Sequence, residues 1–293
     1  MSVAAEQTLL AIVAGGGKLP ADVAASVART GRRMLIVAVR GEADPEALAG
    51  FDPVWVEWGQ VGRMFEILAR EGARDTLLVG SILRRPDFRA IAGDFGTLRR
   101  LPRIISAIVG GDDTVLTGVI RIFEREGLHI VGIGDVAPEL LIGLGPQGRR
   151  KPDTAAKEAT DSAAAAVKAL GHLDVGQAAV ALGRRVVAIE GAEGTDAMLT
   201  RVAELRAIGR IGRGDHVGVM FKGAKTSQDL RVDLPTIGPQ TVKFAADAGL
   251  AGIAAEAGRV VMVSRDETLA LADERGLFIA GVPSSKAVPW PNA

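Results

Sequence analysis

The chain contains no cysteine among its 293 residues. This absence excludes disulfide bonds, zinc–thiolate sites and cysteine nucleophiles. Histidine is scarce as well, and the three histidines, His129, His172 and His216, lie far apart without a metal-binding spacing. A histidine zinc site is therefore disfavoured, and any bound metal is expected to use oxygen ligands.

The sequence also lacks an excess of charge of either sign. Lysine plus arginine and aspartate plus glutamate number 35 each, so no global field attracts the chain to nucleic acid. Charged residues and glycines interrupt every apolar run before it reaches the length of a transmembrane helix. The polar start Met1–Gln7 does not have the pattern of a signal peptide. These features predict a cytoplasmic protein without a nucleic-acid partner.

Alternating strand and helix patterns occupy the first half of the chain. Short β-branched runs such as Leu9–Val13 and Arg33–Val39 flank amphipathic segments such as Ala21–Thr30. Such alternation is typical of a mostly parallel sheet covered by helices. The pattern predicts a Rossmann-like α/β domain over residues 1–145.

A change of composition then marks a linker. The run Gly143–Asp153 is rich in glycine, proline and basic residues, and an alanine-rich helix is predicted over Thr154–Leu170, with Asp153 as its N-cap. We assign residues 146–172 to a linker and connecting helix. Strand–helix alternation resumes afterwards and predicts a second α/β domain, the catalytic one, over residues 173–293.

A glycine-rich turn follows the first predicted strand. Gly15, Gly16 and Lys18 precede the first helix, where backbone N–H groups and the helix dipole can bind phosphate. A tight strand-to-helix turn explains the same residues. The turn does not match a dinucleotide fingerprint, because Pro20 occupies the place of its third glycine and Arg40 replaces the acidic ribose-binding residue. A nicotinamide-dependent oxidoreductase is therefore disfavoured.

Two polar segments follow predicted strands of the second half. The first is Glu190–Asp196, in which glycines turn the chain and Thr195 and Asp196 begin a helix. Ligands of α/β proteins bind at such strand ends. Glycine backbone, a hydroxyl and carboxylates together suit a phosphate held with a metal, although helix capping alone explains Thr195 or Asp196.

The second polar segment runs from Lys222 to Pro239 and is the most informative. Asp229, Arg231 and Asp233 alternate with apolar residues, so in an extended conformation their side chains share one face. Two carboxylates can hold a divalent ion, while lysine and arginine neutralise phosphate oxygens. A solvated edge strand is the other interpretation of this alternation.

These segments resemble a known family over nearly the full length of the chain. The resemblance rests on AGGGKLP from Ala14, GGDD from Gly110, DVGQA from Asp174, EGAEGTDAML from Glu190 and QDLRVDLPTIGP from Gln228. The last two motifs are the specific ones. They are similar to the UDP-2,3-diacylglucosamine diphosphatases of lipid A biosynthesis that are unrelated to calcineurin-like phosphoesterases. The chain departs from that family at Lys225–Ser227, where a Lys-Pro-Gly run is more usual.

The resemblance implies a Mg²⁺-dependent enzyme that hydrolyses UDP-2,3-diacylglucosamine to UMP and 2,3-diacylglucosamine 1-phosphate, lipid X. It implies that Asp233 is the essential carboxylate, that Asp229 and Asp196 are further catalytic groups, and that Asp233 and Asp196 bind the metal. The substrate-binding residues that it implies are Thr195, Lys222, Gln228, Thr236, Gly15, Gly16, Lys18, Gly80 and Ser81. The amphipathic substrate suggests loose contact with the inner membrane.

One alternative to this enzyme stays open at this point. A non-catalytic regulatory protein that binds a nucleotide sugar would need the same phosphate-binding loops but no metal-dependent turnover. The sequence also leaves open whether the chain forms a homodimer.

Overall fold

The computed structural model describes residues 8–82, 96–97, 112–173, 175–212, 217–225 and 228–284. The chain forms two compact units. The first comprises the described parts of Met1–Pro138 together with Asp229–Asp233, and the second comprises the described parts of Glu139–Gln228 and Leu234–Ala293. The chain therefore leaves the second unit after Gln228 and returns to it at Leu234.

The first unit contains a sheet of five parallel strands in the order β3-β2-β1-β4-β5. This order, with its reversal between β1 and β4, is that of a Rossmann-type sheet and confirms the prediction. The strands are β1 (Leu10–Ala14), β2 (Met34–Val39), β3 (Val54–Val56), β4 (Asp75–Val79) and β5 (His129–Ile130), and the helices are α1 (Leu19–Thr30), α2 (Val61–Arg70), α3 (Asp112–Arg125) and α4 (Ile133–Val136).

The second unit is also an α/β structure, as predicted. Its main sheet has the order β6-β13-β11-β9-β7-β8, and a second sheet pairs β10 with β12. The strands are β6 (Gly145–Pro146), β7 (Ala178–Leu182), β8 (Arg185–Ile189), β9 (Val219–Lys222), β10 (Thr236–Ile237), β11 (Gly252–Glu256), β12 (Val261–Met262) and β13 (Phe278–Val282). The helices are α5 (Thr154–Leu170), α6 (Gly194–Ala207), α7 (Pro239–Asp247) and α8 (Arg265–Arg275).

Helix α5 forms a layer of the second unit and contacts β7 and β9. Asp153 caps it as predicted, because its carboxylate accepts a hydrogen bond from the Ala156 N–H group at 2.7 Å. Its alanine stripe packs against Ala179 and Ala181, whereas the alternate residues of β7 face the cluster built from α6 and α7. The sequence predicts that this helix connects the two domains. In the structure it packs on the main sheet of the second unit, and small side chains on both surfaces allow this packing.

The described residues include no helix long and apolar enough to cross a membrane.

An ion-pair cluster joins four chain segments at the amino-terminal edge of the first sheet. The Asp75 carboxylate, at the start of β4, accepts hydrogen bonds from the Thr8 hydroxyl at 2.7 Å and from the Arg32 guanidinium. His129, at the start of β5, lies 3.1 Å from the same carboxylate. Partial burial raises the pKa of Asp75, but the hydrogen bonds and the Arg32 charge together lower it below its ordinary value.

Replacement of Asp75 by asparagine is expected to lower the free energy of unfolding at pH 7 by about 1–3 kcal/mol, since it removes a charged hydrogen-bond acceptor. A lowered folded-state pKa means that the stabilisation is present above the unfolded pKa of about 3.9 and is lost as the pH falls through the folded value. Urea unfolding from pH 7 to pH 3 should show the difference from wild type shrinking. The exposed control D52N should change little, and a pH-independent difference would contradict this account.

Candidate active site

Several strand ends meet at one edge of the second sheet. Lys222 ends β9 and lies opposite Ala178, the first residue of β7. Because β8 runs antiparallel to β7, Glu190 just after β8 reaches the same edge, where its N–H group donates to the Ala178 carbonyl at 2.9 Å. Glu256 ends the adjacent parallel strand β11. Polar side chains from separate parts of the sequence are thereby collected where α/β proteins bind ligands.

A directed chain of hydrogen bonds connects these groups. The Lys222 ammonium donates to the Thr195 hydroxyl at 2.7 Å, and that hydroxyl donates to one Glu190 oxygen at 2.6 Å. The other Glu190 oxygen accepts from the Gln177 N–H group at 2.8 Å. An ionised carboxylate only accepts, so the Thr195 proton points to Glu190 and its lone pair faces Lys222.

Lys222 carries a positive charge into the protein interior, since only 6% of its surface is exposed. Burial lowers the pKa of Lys222 below its ordinary value, although the negative charges of Glu190 and Asp196 oppose this shift. Glu190 is itself 6% exposed, whereas Asp196 lies exposed in the first turn of α6. An ammonium has three N–H donors, and Thr195 is the one hydrogen-bond partner that it meets within the described residues.

Gly176 allows the chain to approach Glu190 closely. It has a φ of +54°, and a Cβ atom placed there would lie 2.0 Å from the Glu190 carbonyl oxygen. A larger residue would therefore push away the segment whose Gln177 N–H group binds the carboxylate. Asp174, in the same sequence motif, lies outside the described residues.

The loop after β9 is held by two buried side chains. The Glu256 carboxylate accepts from the Ala224 N–H group at 2.9 Å. Gln228 accepts from the Lys225 N–H group at 3.0 Å and donates to the Gln177 side chain at 3.4 Å. Gln228 is thus hydrogen-bonded within the fold and holds the loop that follows Lys222 in the chain. Its contact with substrate stays a prediction.

The Asp229–Asp233 segment is not extended, so the shared face expected for its alternating side chains is not found, and neither is the alternative of a solvated edge strand. Its backbone forms a turn, because the Asp229 carbonyl accepts the N–H groups of Val232 at 3.1 Å and Asp233 at 3.0 Å. The Asp229 carboxylate also accepts from the Arg231 N–H group at 3.1 Å. Aspartate makes local bonds of this kind in turns, and here they override the alternating pattern.

The two aspartates of this turn have different surroundings. Both Asp229 oxygens bind the Arg231 guanidinium, at 3.0 and 2.7 Å, and these bonds lower the pKa of the Asp229 carboxyl. The Asp233 carboxylate is half-buried and meets no hydrogen-bonding side chain in the described parts of the chain. Asp233 therefore offers a carboxylate that can bind an external group.

The remaining predicted residues lie in separate elements. Thr236 begins β10 and pairs with Val261 of β12. Gly15, Gly16, Lys18, Gly80 and Ser81 all lie in the first unit.

The glycine turn of the first unit closes on the loop after β4. The Gly15 N–H group donates to the Val79 carbonyl at 2.8 Å, and Gly16 and Ser81 exchange both backbone hydrogen bonds. A Cβ atom at Gly15 would lie 2.5 Å from the Ser81 carbonyl oxygen. The Gly15 and Gly16 N–H groups are therefore used within the fold, which favours the tight-turn interpretation. Phosphate contact by Lys18, Gly80 and Ser81 stays a prediction.

Sequence comparison decides the family. The chain matches the LpxI N-terminal domain over residues 9–140 and the LpxI C-terminal domain over residues 144–280. The chain belongs to the LpxI family. It is 41% identical over 274 residues to a UDP-2,3-diacylglucosamine pyrophosphatase LpxI of Caulobacter vibrioides, a match that covers 93% of this chain and 97% of that protein.

Three supporting residues of this LpxI-family chain are not among those predicted from its sequence. The side chains or backbone of Gln177, Glu190 and Glu256 hold Thr195 and the loop after Lys222. The sequence predicts strands near Gln177–Leu182, Val186–Glu190 and Gly252–Ala255, so each of the three residues begins, ends or directly follows a predicted strand, which is an available signal. That signal could not show which carboxylate is buried, because the sheet order was unknown.

Replacement of Glu190 by glutamine is expected to lower the free energy of unfolding by about 1–3 kcal/mol. The amide has one acceptor oxygen, whereas Gln177 N–H and the Thr195 hydroxyl each need an acceptor, and Lys222 loses a nearby negative charge. Urea unfolding at pH 7 measures the change. The control E193Q removes an exposed ion pair with Arg201 and should cost less than about 1 kcal/mol. Equal losses of unfolding free energy in E190Q and E193Q would show that the buried network stabilises the fold no more than an exposed ion pair does.

Proposed function

We propose that this chain hydrolyses the diphosphate of UDP-2,3-diacylglucosamine in lipid A biosynthesis, releasing UMP and 2,3-diacylglucosamine 1-phosphate. Membership of the LpxI family and the name of the Caulobacter relative support this substrate. The structural observation that carries the proposal is the buried Lys222 ammonium, held at a strand edge by Thr195 and Glu190.

Lys222 would stabilise negative charge on the diphosphate. Hydrolysis of a phosphoanhydride needs little covalent help from the protein and depends on positioned positive charge. A buried ammonium is oriented before substrate arrives, and its charge acts more strongly in a low-dielectric site than in water. The Thr195 hydroxyl fixes the direction of the ammonium, so the two donors that it leaves are available to phosphate oxygens.

Asp233 would act on the attacking water. A carboxylate that orients or deprotonates water needs an acceptor site for it, and among the described residues Asp233 meets no side-chain donor, whereas both Asp229 oxygens bind Arg231. The aspartate would accept a proton from the water as the new bond to phosphorus forms, and the phosphate of the other product would leave with the anhydride oxygen.

We also propose that the reaction requires Mg²⁺, with Asp233 and Asp196 as its protein ligands. The described residues hold no cluster of three or more acidic or histidine side chains suited to a metal. Mg²⁺ commonly binds through one or two carboxylates, waters and substrate phosphates, so a carboxylate of this kind can contribute a ligand without a preformed acidic cluster. The ion would supply charge neutralisation at the diphosphate.

We further place the chain in the cytoplasm, with loose contact to the inner membrane through its amphipathic substrate. The proposed chemistry requires neither stable membrane binding nor a homodimer.

The variant D233N is expected to lose at least about 100-fold in kcat for UMP release, since the amide cannot accept the proton of water. UMP release from UDP-2,3-diacylglucosamine is measured with Mg²⁺ and with excess chelator. Wild-type turnover should depend on Mg²⁺, and the exposed control D247N should retain wild-type activity.

Either of two results would contradict this proposal. Full activity of folded D233N would remove Asp233 from the reaction. Absence of turnover by the wild type with any divalent ion would favour a non-catalytic nucleotide-sugar-binding protein.

Replacement of Lys222 by methionine is expected to lower kcat/KM by about 100- to 1,000-fold, the usual loss when one oriented donor to a developing negative charge is removed. The control K243M changes an exposed lysine of α7 and should leave kcat/KM unchanged. Circular dichroism and urea unfolding establish that K222M is folded. A folded K222M protein with normal kcat/KM would exclude the proposed role of the ammonium.

A further inference from the structure

We propose that Asp229 and Arg231 are positioning residues whose ion pair fixes the turn that carries Asp233. This inference rests on the proposed function, because Asp233 is the carboxylate assigned there to the attacking water. It gives Asp229 a different role from the direct catalytic one that the sequence resemblance implies.

Both oxygens of Asp229 are committed to Arg231. The guanidinium Nε atom lies 3.0 Å from Oδ1 and Nη2 lies 2.7 Å from Oδ2, which is a bidentate pair. The Arg231 backbone N–H group adds a third bond to Oδ1, at 3.1 Å. Oδ1 thus accepts two hydrogen bonds and Oδ2 accepts one, so this carboxylate has less capacity for a metal or a water than one without an arginine.

The same turn determines where the Asp233 backbone lies. The Asp229 carbonyl accepts the Asp233 N–H group at 3.0 Å and the Val232 N–H group at 3.1 Å. The ion pair holds the side chains of residues 229 and 231 while these two bonds hold the backbone that follows. The Asp233 side chain is thereby presented from a closed turn rather than from an open loop.

Three further contacts anchor the turn within the first unit. Arg231 Nη1 lies 3.3 Å from a Glu124 carboxylate oxygen of α3. Val232 packs against the hydrophobic cluster of the first sheet and its helices. A Cβ atom at Gly132 would lie 3.3 Å from the Arg231 Cα atom, so the turn approaches the backbone closely there. The turn is therefore fixed to a packed element and not only to itself.

A simple surface ion pair makes a different prediction. The Arg231 and Asp229 side chains are 41% and 31% exposed, and pairs of this kind contribute little to global stability. If the pair were only a surface feature, its loss would affect neither kcat nor the local backbone. If it positions Asp233, kcat should fall although global stability hardly changes.

A double-mutant cycle with R231M, D229N and the double variant tests the positioning role. R231M is expected to lower kcat by about 10- to 100-fold, as loss of a residue that orients a reacting group commonly does. KM should change less than about threefold, and D229N added to R231M should cost less than about a further threefold, because both act through one turn. The control R70M breaks an exposed ion pair with Glu71 and should leave kcat unchanged.

Two kinetic results would overturn the proposal. One is an R231M variant with wild-type kcat. The other is a D229N effect that keeps its full size in the R231M background, because Asp229 would then act directly on metal or substrate.

Amide hydrogen exchange gives a readout that does not depend on turnover. In R231M the amides of Val232 and Asp233 should exchange at least about tenfold faster than in wild type, because the ion pair no longer holds Asp229, whose carbonyl is their acceptor. In R70M the exchange of these two amides should be unchanged. Unchanged exchange in R231M would overturn the positioning role by itself. A wild-type protein that releases no UMP would overturn the proposed function, and the exchange result would still decide whether the ion pair closes the turn.

Discussion

The second unit depends on how one buried positive charge is compensated. An ammonium removed from water is costly unless it meets acceptors and a negative charge. Lys222 meets Thr195, and Thr195 meets Glu190, which is itself buried and requires the Gln177 N–H group. Each partner therefore constrains the next, and the close approach of the chain at Gly176 follows from the last one.

The mixed direction of the second sheet makes this compensation feasible. Strand β7 runs antiparallel to both β8 and β9, so the start of β7 lies beside the ends of its two neighbours. In an all-parallel sheet, the start of β7 would lie at the opposite edge. The antiparallel hairpin thus supplies both the Glu190 carboxylate and the N–H group that satisfies it.

Carboxylates of identical chemistry acquire different roles from their partners. Asp229 binds the Arg231 guanidinium with both oxygens, whereas Asp233, four residues later, meets no hydrogen-bonding side chain within the described structure. The first is suited to holding a turn, and the second is suited to an external ligand. Glu190, buried between two donors, is suited to neither metal binding nor water activation, and its charge stabilises Lys222 instead.

The local elements and the family resemblance can be read from the sequence alone. Short β-branched runs predict strands in both units, Asp153 is recognisable as a helix cap, and the motifs around Thr195 and Asp233 carry the family resemblance, because residue pattern, capping and motif spacing are local properties. Tertiary structure alone decided that Asp229–Asp233 is a turn, that the Gly15 and Gly16 N–H groups are used internally, and that Glu190 balances Lys222. These outcomes depend on which strands become neighbours and which charged groups meet there. A local sequence pattern cannot predict them, because the contacts join residues that are distant in the sequence.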